Sequence, residues 1–395
     1  MTHVNINKKQ RLSSRVQSIQ PSGIRRFFDL ASKMDNIISL GVGEPDFITP
    51  WSVREASISS MERGFTAYSA NAGILELREA ISIYMSQRFQ VEYDPEEEIL
   101  VTVGASEGID VGCRAILDEG DEVIVVEPGF VSYAPLIAMA GGVPISVGTH
   151  IEDDFKVSAE QIQAAITERT KALIISFPNN PTGAIMLEED YKGIAELVEK
   201  HDLLVFSDEI YAELSYDYQH ISFAALKGMK ERTILINGFS KAFAMTGWRL
   251  GFVMAPKDIL AAMLKIHQYS LMCAPTMAQY GALEALQNGM DDVERMKQSY
   301  KQRRNFFVKS FSEIGLDCHV PGGAFYAFPS IRSTGLSSEE FAEKLLYEER
   351  VAVVPGNVFG AGGEGHIRCS YATSMENLQE SVKRMERFVK KYQNE

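Results

Sequence analysis

ILVTVGASEGIDVGCRAILDEGDEVIVV, residues 99–126, holds one complete repeat of the pattern that decides the fold. Its ends, ILVTV (99–103) and DEVIVV (121–126), are short runs with almost no polar alternation, as strands covered on both faces should be. Between them Ile109, Cys113, Ile116 and Leu117 fall at helical spacing, and DEGDE marks the turn back. Outward from this unit the pattern continues through KALIISF (171–177), LLVF (203–206), TILING (233–238) and LGFVMA (250–255), with Ile162, Ala165 and Ile166 on an intervening helix. Strands alternating with helices predict an α/β domain, three-layered α/β/α around a mainly parallel sheet.

After about residue 290 the character changes. A long charged helix, DDVERMKQSYKQRRNFFVKSF, precedes short strands around CHVPGGAFYAF, a helix from Ser338, the strands VAVVP and HIRCSYA, and an amphipathic closing helix, ENLQESVKRMERFVKKY. This part reads as a smaller α+β domain. A chain of 395 residues, 45% hydrophobic, has material for two cores.

The formal charge of −14 argues against nucleic acid as a partner, since phosphate-backbone binding needs a basic face. Four cysteines, none in a C-x-x-C pair, indicate neither a disulfide framework nor a zinc knuckle. The seven histidines form no H-x-x-x-H pair, so no metal is expected. The first twenty residues lack a signal peptide's apolar core, and no later stretch is apolar for long enough to span a bilayer. A cytoplasmic protein without a membrane partner is the expectation.

Four polar residues fall just past the C-terminal ends of predicted strands: Ser106, Asn180, Asp208 and Lys241. In open α/β sheets that edge is where ligands bind. Gly104-Ala105-Ser106 joins a strand to a helix and faces helix N–H groups outward toward an anion; alone Ser106 reads first as an N-cap, and its place among the other candidates raises the anion reading above that. Arg249 carries a guanidinium fork suited to phosphate, or else a surface salt bridge. Asp208 is either a helix N-cap or a buried carboxylate that keeps a facing ring nitrogen protonated. Tyr211, three residues on and read on the same helical face, and Asn180, in NNPTG, could bracket a ring oxygen; alone each is a core tyrosine and a turn asparagine. Lys241, among Phe239, Ala242, Phe243 and Ala244, is expected to be partly desolvated, with a lowered pKa and a nucleophilic amine. Arg368 in HIRCSYA would be a costly charge in an apolar strand unless it meets a carboxylate, from a substrate or from the chain itself. Gly360 to Gly365 match G-x-G-x-x-G but lead into a strand, so a dinucleotide site is rejected.

SLGVGEPDF, YSANAGILELREAI, NNPTG, SDEIYAEL, SKAFAMTGWRLGF and HIRCSYA, in this order, resemble the class I aminotransferases of the fold-type-I pyridoxal-phosphate enzymes. The resemblance runs from about residue 20 to residue 390 and is nearest to the bacterial branch with aspartate, alanine and aromatic aminotransferases. It implies a large cofactor-binding domain over 46–288 and a small domain of 1–45 with 289–395. It also implies transfer of an amino group between an L-amino acid and a 2-oxo acid, with pyridoxal 5'-phosphate as cofactor. Lys241 would form the Schiff base, Asp208 would pair with the pyridine nitrogen, and Asn180 with Tyr211 would contact the 3-hydroxyl. Ala105, Ser106 and Arg249 would hold the phosphate, Phe130 would stack on the ring, and Gly43, Asn180 and Arg368 would receive the substrate. Tyr68 would reach the phosphate of a neighbouring subunit, which implies a homodimer with shared active sites. Gly238 departs from relatives with a phosphate-binding serine there, with Ser240 as a substitute.

The cofactor motifs fit a carbon–sulfur β-lyase as well, and, more remotely, a non-catalytic effector-binding module on the same fold. Side-chain specificity stays open. Arg25, Arg26 and Arg114 are available for a second carboxylate, while Ile24, Phe27, Tyr133 and Tyr326 could line an apolar pocket. Glutamate with 2-oxoglutarate is the favoured pair, with alanine, aspartate or an aromatic amino acid as the other donor. The segment SGIRRFF (22–28) is read as a lid.

Overall fold

Each of the six apolar runs between residues 99 and 255 supplies a strand of a single sheet. The structure is a computed structural model that describes residues 12–21, 23 and 34–393. After a short β1 (Ile38–Ser39), the main sheet comprises β2 (Ile99–Thr102), β3 (Glu122–Glu127), β4 (Val143–Gly148), β5 (Thr170–Ser176), β6 (Leu204–Asp208), β7 (Thr233–Gly238) and β8 (Gly251–Met254). Their spatial order is β2-β8-β7-β6-β5-β3-β4. Six strands run in one direction and β8, between β2 and β7, runs against them.

The apolar runs lack alternation because both faces are covered. Along β5, Ile174 packs with Ile109, Ile137 and Met263 on one face, whereas Leu173 and Ile175 pack with Ile162, Ile194 and Val198 on the other. Side chains this deeply buried contribute roughly 1.5–3 kcal/mol each relative to exposure. Three layers result. The helix Ala105–Ile116 lies unusually close to the sheet, since a Cβ at Gly108 or Gly112 would sit 2.6 Å from Val253 or Phe206. That contact fixes where the start of the helix projects.

β4 was not expected from the sequence. It is an edge strand with one neighbour, half-exposed, with Pro144 near its start, so its signal is alternating and weak. The sequence SDEIYAEL also differs from the helical reading: Asp208 ends β6, and only a single 3₁₀ turn, Ala212–Leu214, follows. Asp208 and Tyr211 therefore share no helical face.

Beyond residue 290 the helices Met290–Glu313, Ser338–Glu349 and Met375–Gln393 bury Phe307, Phe341 and Phe388 in one core, with Phe341 edge-on to Phe388 at 5.0 Å. Against them lie β9 (Tyr326–Ala327), β10 (Val351–Ala352), β11 (Val354–Pro355) and β12 (Ile367–Ser370), with β11-β12-β9 antiparallel. CHVPGGAFYAF contributes β9 alone. β1 pairs parallel with β10, Ile38 opposite Val351, which ties the start of the chain to its end. Among the described residues no helix is long and apolar enough to cross a membrane.

Candidate active site

The C-terminal ends of the parallel strands β2, β3, β5, β6 and β7 share one edge of the sheet, and antiparallel β8 starts there. Residues leaving the first set therefore meet Arg249, which leads into β8. A cavity of about 330 Å³ opens at this edge. Gly43, Ala105, Ser106, Phe130, Asn180, Asp208, Tyr211, Lys241, Arg249 and Arg368 all line it. Tyr68 does not; it is 80% exposed on the surface.

Asp208 sits buried at the end of β6. Its Oδ2 accepts a hydrogen bond from the Tyr133 hydroxyl at 2.7 Å, and its Oδ1 accepts the Ile210 N–H at 3.2 Å. Burial pushes its pKa up to about 6, against the pull of those hydrogen bonds and the smaller pull of the Lys241 charge. Lys241 Nζ donates to the Gly43 carbonyl at 2.6 Å. Burial, with the nearby charge of Arg368, lowers its pKa to about 8. The cavity thus holds a carboxylate that favours a cationic neighbour and an amine poised to lose its proton.

At one end of the cavity Gly104, at φ +83°, reverses the chain between β2 and the helix Ala105–Ile116. The first N–H groups of that helix have no acceptor within it and carry the positive end of its dipole. Arg249, at φ +53°, lays its guanidinium against Gly104, where a Cβ would come within 2.7 Å of Nη2. Its Nη1 donates to the Thr246 carbonyl at 3.1 Å, and it pairs with no carboxylate among the described residues. The N–H groups of the helix start and the cation of Arg249 converge on this end.

At the other end Arg368 is 3% exposed on β12. Its Nη1 donates to Asn180 Oδ1 at 2.9 Å and its Nη2 to the Gly41 carbonyl at 2.6 Å, while Nε has no partner. The rings of Tyr326 and Phe359 lie 4.5 and 5.0 Å from its guanidinium carbon. With Asn180 Oδ1 occupied, the Asn180 amide NH₂ remains to donate. The Tyr211 hydroxyl meets that of Tyr326 at 2.7 Å, so it too retains capacity toward the cavity.

A family model for aminotransferase class I and II matches residues 35–385. The chain belongs to this family. It is 62% identical to the Bacillus subtilis protein named "Putative aminotransferase YugH", over 96% of this chain and 98% of that one. It is 46% identical to an aspartate aminotransferase of Pyrococcus abyssi, again over 96% and 98%. The crystal structure of an aromatic aminotransferase from Pyrococcus horikoshii superposes with a TM-score of 0.89 at 46% identity, covering 93% of this chain and 99% of that one. The protein is accordingly a pyridoxal-phosphate-dependent aminotransferase of fold type I.

Some residues stand otherwise than the sequence suggested for this aminotransferase. Tyr133 and Tyr326 do line the cavity, but as hydrogen-bonding groups rather than as an apolar wall. Arg114 points its guanidinium to Asp110 at 3.0 Å and does not line the cavity. Arg25, Arg26, Ile24 and Phe27 lie outside the described residues, as does all of the SGIRRFF segment read as a lid except Gly23. Ser176, Ser240 and Thr246 line the cavity as well, and of these the sequence singles out only Ser240.

Gly238 has a physical reason to be glycine in this aminotransferase. It faces Gly251 across the β7–β8 pair, and a Cβ there would lie 2.8 Å from the Gly251 Cα. Gly238→Ser should cost about 1–3 kcal/mol of stability through overpacking and leave cofactor affinity no tighter. Chemical denaturation of the variant, read beside its cofactor titration, checks both; unchanged stability would mean that the two strands can part freely.

Proposed function

We propose that Lys241 is the attachment point of pyridoxal phosphate and moves the substrate Cα proton, with the cofactor phosphate at Ala105, Ser106 and Arg249. On this reading Asp208 faces the pyridine nitrogen, Phe130 covers the ring, and Asn180 and Tyr211 donate to the 3-hydroxyl. Gly43 and Arg368 receive the substrate α-carboxylate. The observation that carries the reading is the buried Arg368, which among the described residues is held by neutral acceptors only and meets no anion there.

When bound, pyridoxal phosphate supplies a carbonyl that takes up the amino group and a ring that accepts the electron pair of the Cα–H bond. Asp208 would hold a proton on the ring nitrogen, its buried carboxyl regaining its charge beside a cation there. Arg368 orients the amino acid so that its Cα–H lies within reach of Lys241. With a pKa near 8, Lys241 has a usable free-amine fraction at neutral pH and can both take and return the proton.

We place the cofactor in a large domain over residues 46–288, with 1–45 and 289–395 forming a small domain that brings Arg368 to it. Exposed Trp51, Tyr68, Tyr269, Leu271 and Met272 support a homodimer in which a second copy covers this surface and Tyr68 reaches the partner's phosphate. Four unpaired cysteines support a cytoplasmic location. The donor we favour is glutamate, with 2-oxoglutarate its product, paired with alanine, aspartate or an aromatic amino acid; relatives named for aspartate and aromatic amino acids support that range.

Loaded protein given one amino acid and no oxo-acid acceptor should lose its visible cofactor band and release one oxo acid per site. The amino acids that do so fastest define the donor. If none of these amino acids yields an oxo acid, the assignment of the cavity fails.

A further inference from the structure

Glu107 has no role in the chemistry above, yet it is built into the turn that cups the phosphate end of the cavity. Its side chain is 9% exposed, in the first turn of the helix Ala105–Ile116. Oε2 accepts the backbone N–H of Val103, the first residue past β2. Oε1 meets Nδ1 of His267 at 2.5 Å. His267 is completely buried in the last turn of the helix Lys257–Ser270, which packs against the helix of Glu107. Its Nε2 has no partner among the described residues.

These contacts fix the hydrogens. An ionised carboxylate can only accept, so Nδ1 carries the proton and donates. An N–H at Nε2 would be buried without an acceptor among the described residues, which favours the tautomer with its proton on Nδ1. Glu107 therefore receives two N–H groups, one on each oxygen.

A buried negative charge one residue from an anion site opposes that anion, and the helix dipole offsets only part of the repulsion. What the pair contributes instead is geometry. It pins Val103 from behind, while the Thr102 hydroxyl donates to the Gly104 carbonyl at 3.0 Å, and between them Ala105 and Ser106 are held facing the cavity. We infer that Glu107 and His267 are positioning residues, a buried pair that holds the turn 103–106 in the shape that receives the cofactor's phosphate. The inference rests on the phosphate placement proposed above.

The test compares two ligands of the apoprotein, pyridoxal phosphate and unphosphorylated pyridoxal, titrated by fluorescence. Glu107→Gln leaves one acceptor for two N–H groups, and His267→Leu removes the donor. Each should raise the Kd for pyridoxal phosphate about tenfold or more while changing that for pyridoxal by less than about threefold. His267→Asn, which keeps a side-chain N–H near the Nδ1 position, should restore most of the loss. If Glu107→Gln does not fold, the two His267 variants decide the matter. Parallel losses for both ligands, or an unchanged preference for the phosphorylated one, overturn the inference as a merely structural pair. A parent protein that binds both ligands equally removes the phosphate site itself, and with it any role for the pair.

Discussion

Lys241→Ala is expected to lower steady-state transamination by at least about 10⁴-fold, since it removes both the covalent anchor and the group that carries the proton. The fold should survive, because among the described residues Lys241 makes one hydrogen bond, to the Gly43 carbonyl, while its neighbours Phe239, Ala242 and Phe243 supply the core contacts. Stability of the apoprotein should move in a direction opposite to most truncations. Burial holds the Lys241 pKa at about 8 in the folded chain, against 10.5 for the ordinary side chain. Between those values the unfolded chain binds more protons, so the folded wild type gains stability as pH rises from about 8 to about 10.5. Below pH 8 it bears the full penalty of a buried ammonium, on the order of 3 kcal/mol at 1.36 kcal/mol per unit. The alanine variant lacks this penalty. Apo Lys241→Ala should thus match or exceed the wild type at pH 7, with the advantage shrinking toward pH 10. Denaturation at the two pH values reads the effect, and normal turnover by the variant would end the assignment of Lys241.

Sequence and structure agree where the physics is local. The strands flanking Ser106, Asn180, Asp208 and Lys241 were legible because a strand covered on both faces needs an uninterrupted apolar run, and the sheet edge then places those side chains together. β4 escaped because it is half-exposed, with only Val147 buried, whereas β2, the other edge strand, is covered throughout and keeps its apolar run. The direction of β8 escaped too: an apolar run reads the same either way, yet only an antiparallel β8 brings Arg249 to the edge where Lys241 emerges. Contacts between distant side chains leave no trace in spacing. Tyr133 with Asp208, Tyr211 with Tyr326 and Glu107 with His267 pair residues that no periodicity connects. The helical reading of SDEIYAEL failed for a related reason. The chain turns immediately after Asp208, and Tyr211 reaches the cavity through tertiary packing against Phe325 and Tyr326.

Arg368→Gln is expected to reduce kcat/KM by about 10²–10³-fold for amino acid and oxo acid alike, the range for losing one partner of a buried charge pair. The sequence left Arg368 open between an internal ion pair and a substrate contact. Its described neighbours weigh toward the second: Asn180 Oδ1, the Gly41 carbonyl and two aromatic faces satisfy a cation partly and bring no negative charge. An internal pair would be broken by the substitution and would destabilise the fold by about 3–5 kcal/mol. A cation awaiting a substrate carboxylate gives the opposite result, an apoprotein no less stable once the unpaired charge is gone. Both product formation and unfolding therefore report on the same residue. Because every amino acid presents the same α-carboxylate, the loss should be uniform across donors, and the KM should rise for each. A loss confined to acidic donors would instead assign Arg368 to the side-chain carboxylate, and the α-carboxylate would then need another anchor.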